Sequence, residues 1–246
     1  MTGSARTEIG SSSPADLVAL HGGRFSRELG IDVSEGDAGE LFKWWLAAVL
    51  FGARISRQLA ARTYRAFAER KLTTPEAIVR HGWNGLVAVL DAGGYARYDF
   101  KTATKLLDMS RSLFEHYRGS LDELHARAES SGDLEQKLSA LAKGIGPTTV
   151  NIFLRELRGV WPKAAPNLSD LAVDAAKSLN FLSNEPARNG VALTRLQALW
   201  TKAGGSLRDF PDFETALVRK ELLLRRAKAR QTARRTLGRV APSPQR

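Results

Sequence analysis

The run Lys143-Gly144-Ile145-Gly146-Pro147-Thr148-Thr149 holds the residues best suited to chemistry in this chain. Glycine permits positive φ and lets another backbone approach closely. A helix opened by Pro147 leaves N–H groups unpaired in its first turn, and proline has none to leave. The amides of Gly146, Thr148 and Thr149, at the positive end of such a helix, suit a phosphate group. The two threonine hydroxyls would add donors, and Lys143 a cation. Ile145 would anchor the turn in the core. The alternative is an ordinary helix–helix turn with a glycine C-cap. On these residues alone both readings stay open.

Other chemistries are excluded or unsupported. The 246 residues include no cysteine, which removes disulfides, thiolate nucleophiles, cysteine-ligated zinc and iron–sulfur clusters. His81, His116 and His125 occur singly, without metal-ligand spacing, so neither a metal nor a cofactor is expected. Trp44, Trp45, Trp83, Trp161 and Trp200 read as core residues. The net charge of +11 is unevenly spread. Leu217 to Arg246 carries ten Lys/Arg and one acid, a net +9, against +2 for all the rest. Such an arm points to a polyanionic partner, nucleic acid before an acidic membrane surface; the plainer reading is a solvated helix end.

No apolar run approaches the ~20 residues of a membrane helix. Trp44 to Ala53 is short and flanked by Lys43 and Arg54. The N-terminal "MTGSARTEIGSSSPAD" lacks the apolar segment of a secretory signal and is expected to be a disordered tail. These features predict a cytoplasmic protein.

The elements that would position the glycine turn are helices. Apolar residues recur at i, i+3 and i+4 almost throughout, and strand-like alternation is scarce. Helices are expected from Leu41, from Ser56 as N-cap, from Thr74 as cap to a stop at Gly82, and over Trp83–Asp91. More follow over Asp99–Tyr117, Leu121–Glu129 and Leu134–Ala142, the last two split by "SSGD". Pro147 opens a helix carrying Val150, Ile152, Phe153, Leu154 and Leu157 inward. Asn167, with Asp170 three residues on, suits the cap of a helix through Leu179. The last helices are expected over Val191–Lys202 and Phe213 to about Ala233, before a disordered "RVAPSPQR". The fold class is all-α.

The segment "LSALAKGIGPTTVNIFLREL" resembles the helix-hairpin-helix of the endonuclease III superfamily of DNA glycosylases, the helix-hairpin-helix-GPD fold. "WWLAAVLFGARISRQLAARTYRAF" resembles that family's early core helix. "TTPEAIVRHGWNGLVAVLDAGGYARYDFKTATKLLDMSRSLFEHYRG" resembles its next three helices, and "VWPKAAPNLSDLAVDAAKSL" the segment bearing the catalytic aspartate. Together these span about Leu41 to Leu179. The resemblance implies two helical lobes with a DNA-binding cleft. Positions 54–157 would form one lobe, inserted into a second made of 15–53 and 158–216. Residues 1–14 and 217–246 would be a tail and a basic extension. It also implies a monomer that binds double-stranded DNA in base-excision repair.

The chain departs from the family where chemistry matters. Counted from Trp161-Pro162, the family aspartate is Asn167, which can neither accept a proton at neutral pH nor offset an oxocarbenium charge. The lysine that forms a Schiff base in strand-cleaving relatives is Thr148, so lyase activity is not expected. Asp170, a helical turn after Asn167, and Asp174 beyond it are the replacement carboxylates; Lys143 and Lys163 are the nearest lysines. By the resemblance, Arg54 would fill the gap left by a flipped base. Tyr95 and Tyr98 would stack on bases or pack internally, with Arg97 on phosphate and Lys101 following the loop. The expectation is DNA binding with doubtful glycosylase activity. A monofunctional glycosylase using Asp170, or an interaction scaffold that keeps only the fold, is the alternative.

Overall fold

The computed structural model describes residues 13–95, 99–184 and 190–238, all helix and loop with no strand among them. The expected N-terminal tail up to residue 12, Arg97, Tyr98 and the stretch 239–246 lie outside the described residues. The all-α expectation holds.

Polar caps set most helix starts. Ser13 makes a capping box with Asp16 and opens α1 (Pro14–His21), which the apolar spacing did not predict. Asp37 caps α2 (Ala38–Phe51), a helix apolar on nearly every side and correspondingly buried. Ser56 caps α3 (Arg57–Glu69) and Thr74 caps α4 (Pro75–Ala92), with Pro75 in the first turn. Gly82 breaks the helical backbone within that span, so α4 is two helices joined end to end, as the expected stop at Gly82 and the separate Trp83–Asp91 helix require. Gly82 sits at φ 71° and ψ 170° as a kink, and the helix resumes after it.

Helix α5 runs over Asp99–Tyr117 as expected, and α6 over Leu121–Arg127. Ser130 caps α7 (Ser131–Ala140), so "SSGD" supplies a cap and first turn rather than a gap. Helix α8 (Pro147–Arg155) starts where Pro147 predicts, and Ile152 is only half-buried. Helix α9 (Asp170–Ser178) is capped by Ser169, not Asn167, because the Ser169 hydroxyl takes the Ala172 N–H at 3.4 Å. Helix α10 spans Val191–Lys202, and α11 spans Phe210–Gly238, longer at both ends than expected.

Backbone packing divides the chain into two compact units. One holds 24–167 with 207–211; the other holds the rest. In the first, α2 packs on α3, α6 and α8, and α4 packs on α3 and α5. The α2–α8 approach is close. A Cβ built on Gly52, at the end of α2, would lie 2.0 Å from Thr149 Oγ1. Trp44 Nε1 donates to the Phe153 carbonyl at 3.2 Å, and the Phe153 ring meets Trp45 and Trp161 edge-on at 4.9 and 5.6 Å. Beyond α8, fully buried Glu156 accepts from the N–H groups of Phe25 and Ser26 at 2.8 and 3.1 Å. Burial pushes its carboxyl pKa up, opposed by Arg155 and by those two bonds.

In the second unit, α1 packs on α10, and Trp200 stacks on Phe213 at 5.4 Å. Arg219 Nη1 donates to the carbonyls of His21, Gly22 and Gly23, closing the end of α1.

Gly52→Ala is expected to destabilise the protein by about 1–3 kcal/mol, the range for overpacking. Thr149→Ala in the same chain should recover part of that loss. A double-mutant cycle from urea unfolding checks both, and additive effects would contradict the close approach of these two residues.

Candidate nucleic-acid interface

The glycine turn between α7 and α8 is built as an open amide cluster. Gly144 takes φ +87°, a conformation glycine adopts without strain, and turns the chain. Ile145 is buried beneath it and donates its N–H to the Ala142 carbonyl at 3.2 Å. Gly146 is the N-cap of α8, with no side chain to bond the first-turn amides. Among the described residues nothing accepts from the N–H groups of Gly146, Thr148 or Thr149. A Cβ on Gly146 would meet nothing within 4 Å, so that side of the turn is open. Lys143 and Thr148 are exposed beside it.

Thr149 does something other than expected. Its side chain is buried against Gly52, which takes its hydroxyl away from any phosphate and leaves only its backbone amide for that role. In its place the fold brings up a cation that sequence reasoning missed. Lys105, on α5, lies against the turn, with Cε and Nζ 3.2 and 3.5 Å from where a Cβ of Gly144 would stand. Burial lowers its pKa, and no acid among the described residues pairs with it. Its i, i+4 spacing from Lys101 was the available signal, since the two share a side of α5. Lys101 itself is exposed.

The loop after α8 is pinned by carbonyls and a ring stack. Trp161 lies flat on His125 at 4.5 Å and donates through Nε1 to Asp122 at 3.3 Å. Lys163 Nζ donates to the carbonyls of His125 and Ala126 at 2.7 and 3.4 Å. That lysine therefore caps the end of α6. Arg158 Nη2 donates to the Pro166 carbonyl at 2.6 Å, and Asn151 Nδ2 to the Asn167 carbonyl at 2.7 Å. Asn167 is exposed, is not a helix cap, and its side chain has no partner among the described residues.

The replacement carboxylates sit differently from each other. Asp170 is the exposed first residue of α9. Asp174 is half-exposed and pairs with Arg225 at 2.8 Å. Arg54 is exposed and makes no ion pair among the described residues.

Tyr95 takes the internal alternative, and Trp83 departs from the expected core. Tyr95 is 2% exposed, so its ring belongs to the core. Arg62 fixes the start of that loop through the Gly93 carbonyl at 2.8 Å. Trp83, read as core, is 38% exposed; it leans on Phe100, which is 58% exposed, and donates to Thr104 Oγ1 at 2.9 Å. An open groove of about 600 Å³ runs between α7 and α8, lined by residues including Glu135, Gln136, Ser139, Pro147 and Val150. Its one charged lining residue is an acid, so it does not extend an anion site.

Among the described residues no group of His, Asp or Glu could hold a metal ion, and no helix is long and apolar enough to cross a membrane. In comparisons with known proteins, no family model and no curated protein matches this sequence.

His125 gives a pH prediction. Burial first, and then Lys163, lowers its pKa from the ordinary 6.5, and its Nε2 is buried without a hydrogen bond. The unfolded chain therefore takes up the proton at higher pH than the folded one. The stability it contributes is complete above pH 6.5 and lost as pH falls through the folded value. The slope is at most about 1.4 kcal/mol per pH unit. His125→Phe keeps a ring against Trp161, and its unfolding free energy between pH 7.5 and 5.5 should fall less than that of the parent protein, by denaturant titration.

Proposed function

We propose that this protein binds duplex DNA through the turn between α7 and α8, as a helix-hairpin-helix-GPD protein lacking the family's acid and lysine at their usual positions. The observation that carries the reading is the open end of α8, with three unpaired amides around a side-chain-free cap. Lys143 and Lys105 place positive charge on the same turn. Binding of this kind grips the phosphate backbone and is not strictly sequence-specific. Base-excision repair or lesion recognition is the setting that the family resemblance suggests.

The chemistry beside the turn is weak for catalysis. Asn167 is a neutral amide, and Thr148 is not a nucleophilic amine. Glycosylase activity is therefore doubtful, and strand cleavage is not expected.

Two substitutions at one position test the reading. Gly146 has an ordinary φ of −109° and open space around it, so Gly146→Ala should bind like the parent protein. Gly146→Asp sets a carboxylate where the phosphate would sit and should weaken duplex binding roughly 10–100-fold, a loss of about 1.4–2.8 kcal/mol. Fluorescence anisotropy with a labelled duplex over a salt series measures both. Equal weakening by alanine and aspartate would refute the amide site. Base release from a panel of damaged duplexes, lost in Asp170→Ala, would make the protein a glycosylase with a relocated acid. Absence of any duplex binding would leave an interaction scaffold.

A further inference from the structure

Helix α11 changes character halfway along. From Phe210 to Val218 every residue is buried. From Arg225 to Thr232 every residue is exposed, and Leu223 is already 48% exposed. The backbone stays helical to Gly238, 29 residues in all, so the stretch after Leu222 extends about 24 Å at 1.5 Å per residue. No acid follows Glu221 anywhere in the sequence. Arg225 is held by Glu221 and Asp174 at 2.7 and 2.8 Å. Arg226, Lys228 and Arg230 are exposed with no acidic partner among the described residues.

These three cations do not share one side. At ~100° per residue, Arg226 and Arg230 form one stripe, and Lys228 lies about 180° from its midpoint. Between Leu223 and Thr232 the apolar residues form no stripe of their own: Leu223 falls on the Arg226–Arg230 side, and Ala227 and Ala229 flank it to either side. A helix that lies on a membrane needs an apolar face to bury, and the stretch from Leu223 to Thr232 has none free of cations. Like charges at i, i+4 repel one another in water. A partner with negative charge on two opposite walls offsets the charge of both sides at once.

We propose that the exposed half of α11 lies in the major groove of duplex DNA, with Arg226 and Arg230 on one phosphate wall and Lys228 on the other. The groove is ~12 Å wide and admits one α-helix between two phosphate strands. This matches a helix that is basic on opposite sides and polar between them. The proposal takes duplex DNA as the ligand from the reading above, but the residues it uses are separate from those of the glycine turn.

The test uses the whole protein and the triple variant R226A/K228A/R230A. Alanine is a strong helix former at exposed positions, so circular dichroism should be unchanged. On a duplex at near-physiological salt, the variant should bind roughly tenfold or more weakly. Its salt slope should fall by about 2–3, at ~0.9 for each phosphate no longer neutralised. Dimethyl sulfate reads guanine N7 in the major groove, and protection seen with the parent protein should disappear. Unchanged slope and protection in the triple variant would overturn the proposal, while weakening by Gly146→Asp in the same assay would leave the glycine turn as the DNA-binding element. Weaker binding by the triple variant with none by Gly146→Asp would support the groove-bound helix and reject the turn. No duplex binding by the parent protein, or tighter binding to phosphatidylserine vesicles than to duplex, would overturn it as well.

Discussion

The packing of the end of α2 on the start of α8 is the constraint on which the candidate site depends. A helix shows its N-terminus to a ligand only if its sides are held and its first amides are left free. Here the buried flank of Thr149 fills the space above Gly52, and Trp44 and Trp45 grip Phe153 one turn further on. Gly52 has an ordinary backbone conformation, so glycine is needed there for closeness alone. The packing of Thr149 on Gly52 is what fixes the start of α8, and with it the unpaired amides of the turn.

A second lock lies at the other end of the same helix. Glu156 is a buried carboxylate that satisfies two backbone N–H groups of the segment entering this unit. Leaving those donors unpaired would cost about 1–3 kcal/mol each. Phe25 sits between the guanidinium groups of Arg57 and Arg155, 4.3 and 4.9 Å from its centroid. With Arg158 and Asn151 holding the following loop by its carbonyls, α8 is held at both ends. The glycine turn is therefore carried on a rigid support, which limits the ordering cost of holding a phosphate.

How far the site was legible follows from how local each cause is. The start of α8 at Pro147 and the turn at Gly144 depend on residues within one turn of themselves, and both were readable. The cap of α9 was misassigned because Asn167 and Ser169 are both good caps two residues apart. The choice fell to the Asn151–Asn167 bond, made 16 positions away in sequence. Trp83 at the surface and Tyr95 in the core have a similar cause, since a ring's burial depends on which helices cross over it. Lys105 was overlooked because its neighbour Gly144 lies on a different helix pair.

The sequence by itself determined the all-helical class, most helix starts, the glycine turn and the concentration of charge in the last helix. Each of these rests on capping, on the 3.6-residue period or on counting charges, and none needs a partner distant in the chain. Tertiary structure alone decided which threonine faces solvent, that Lys163 caps a helix, that Asp174 pairs with Arg225 and that Lys105 stands at the turn. These are matters of approach between residues far apart in sequence, and only the packed chain brings such residues within a few ångströms.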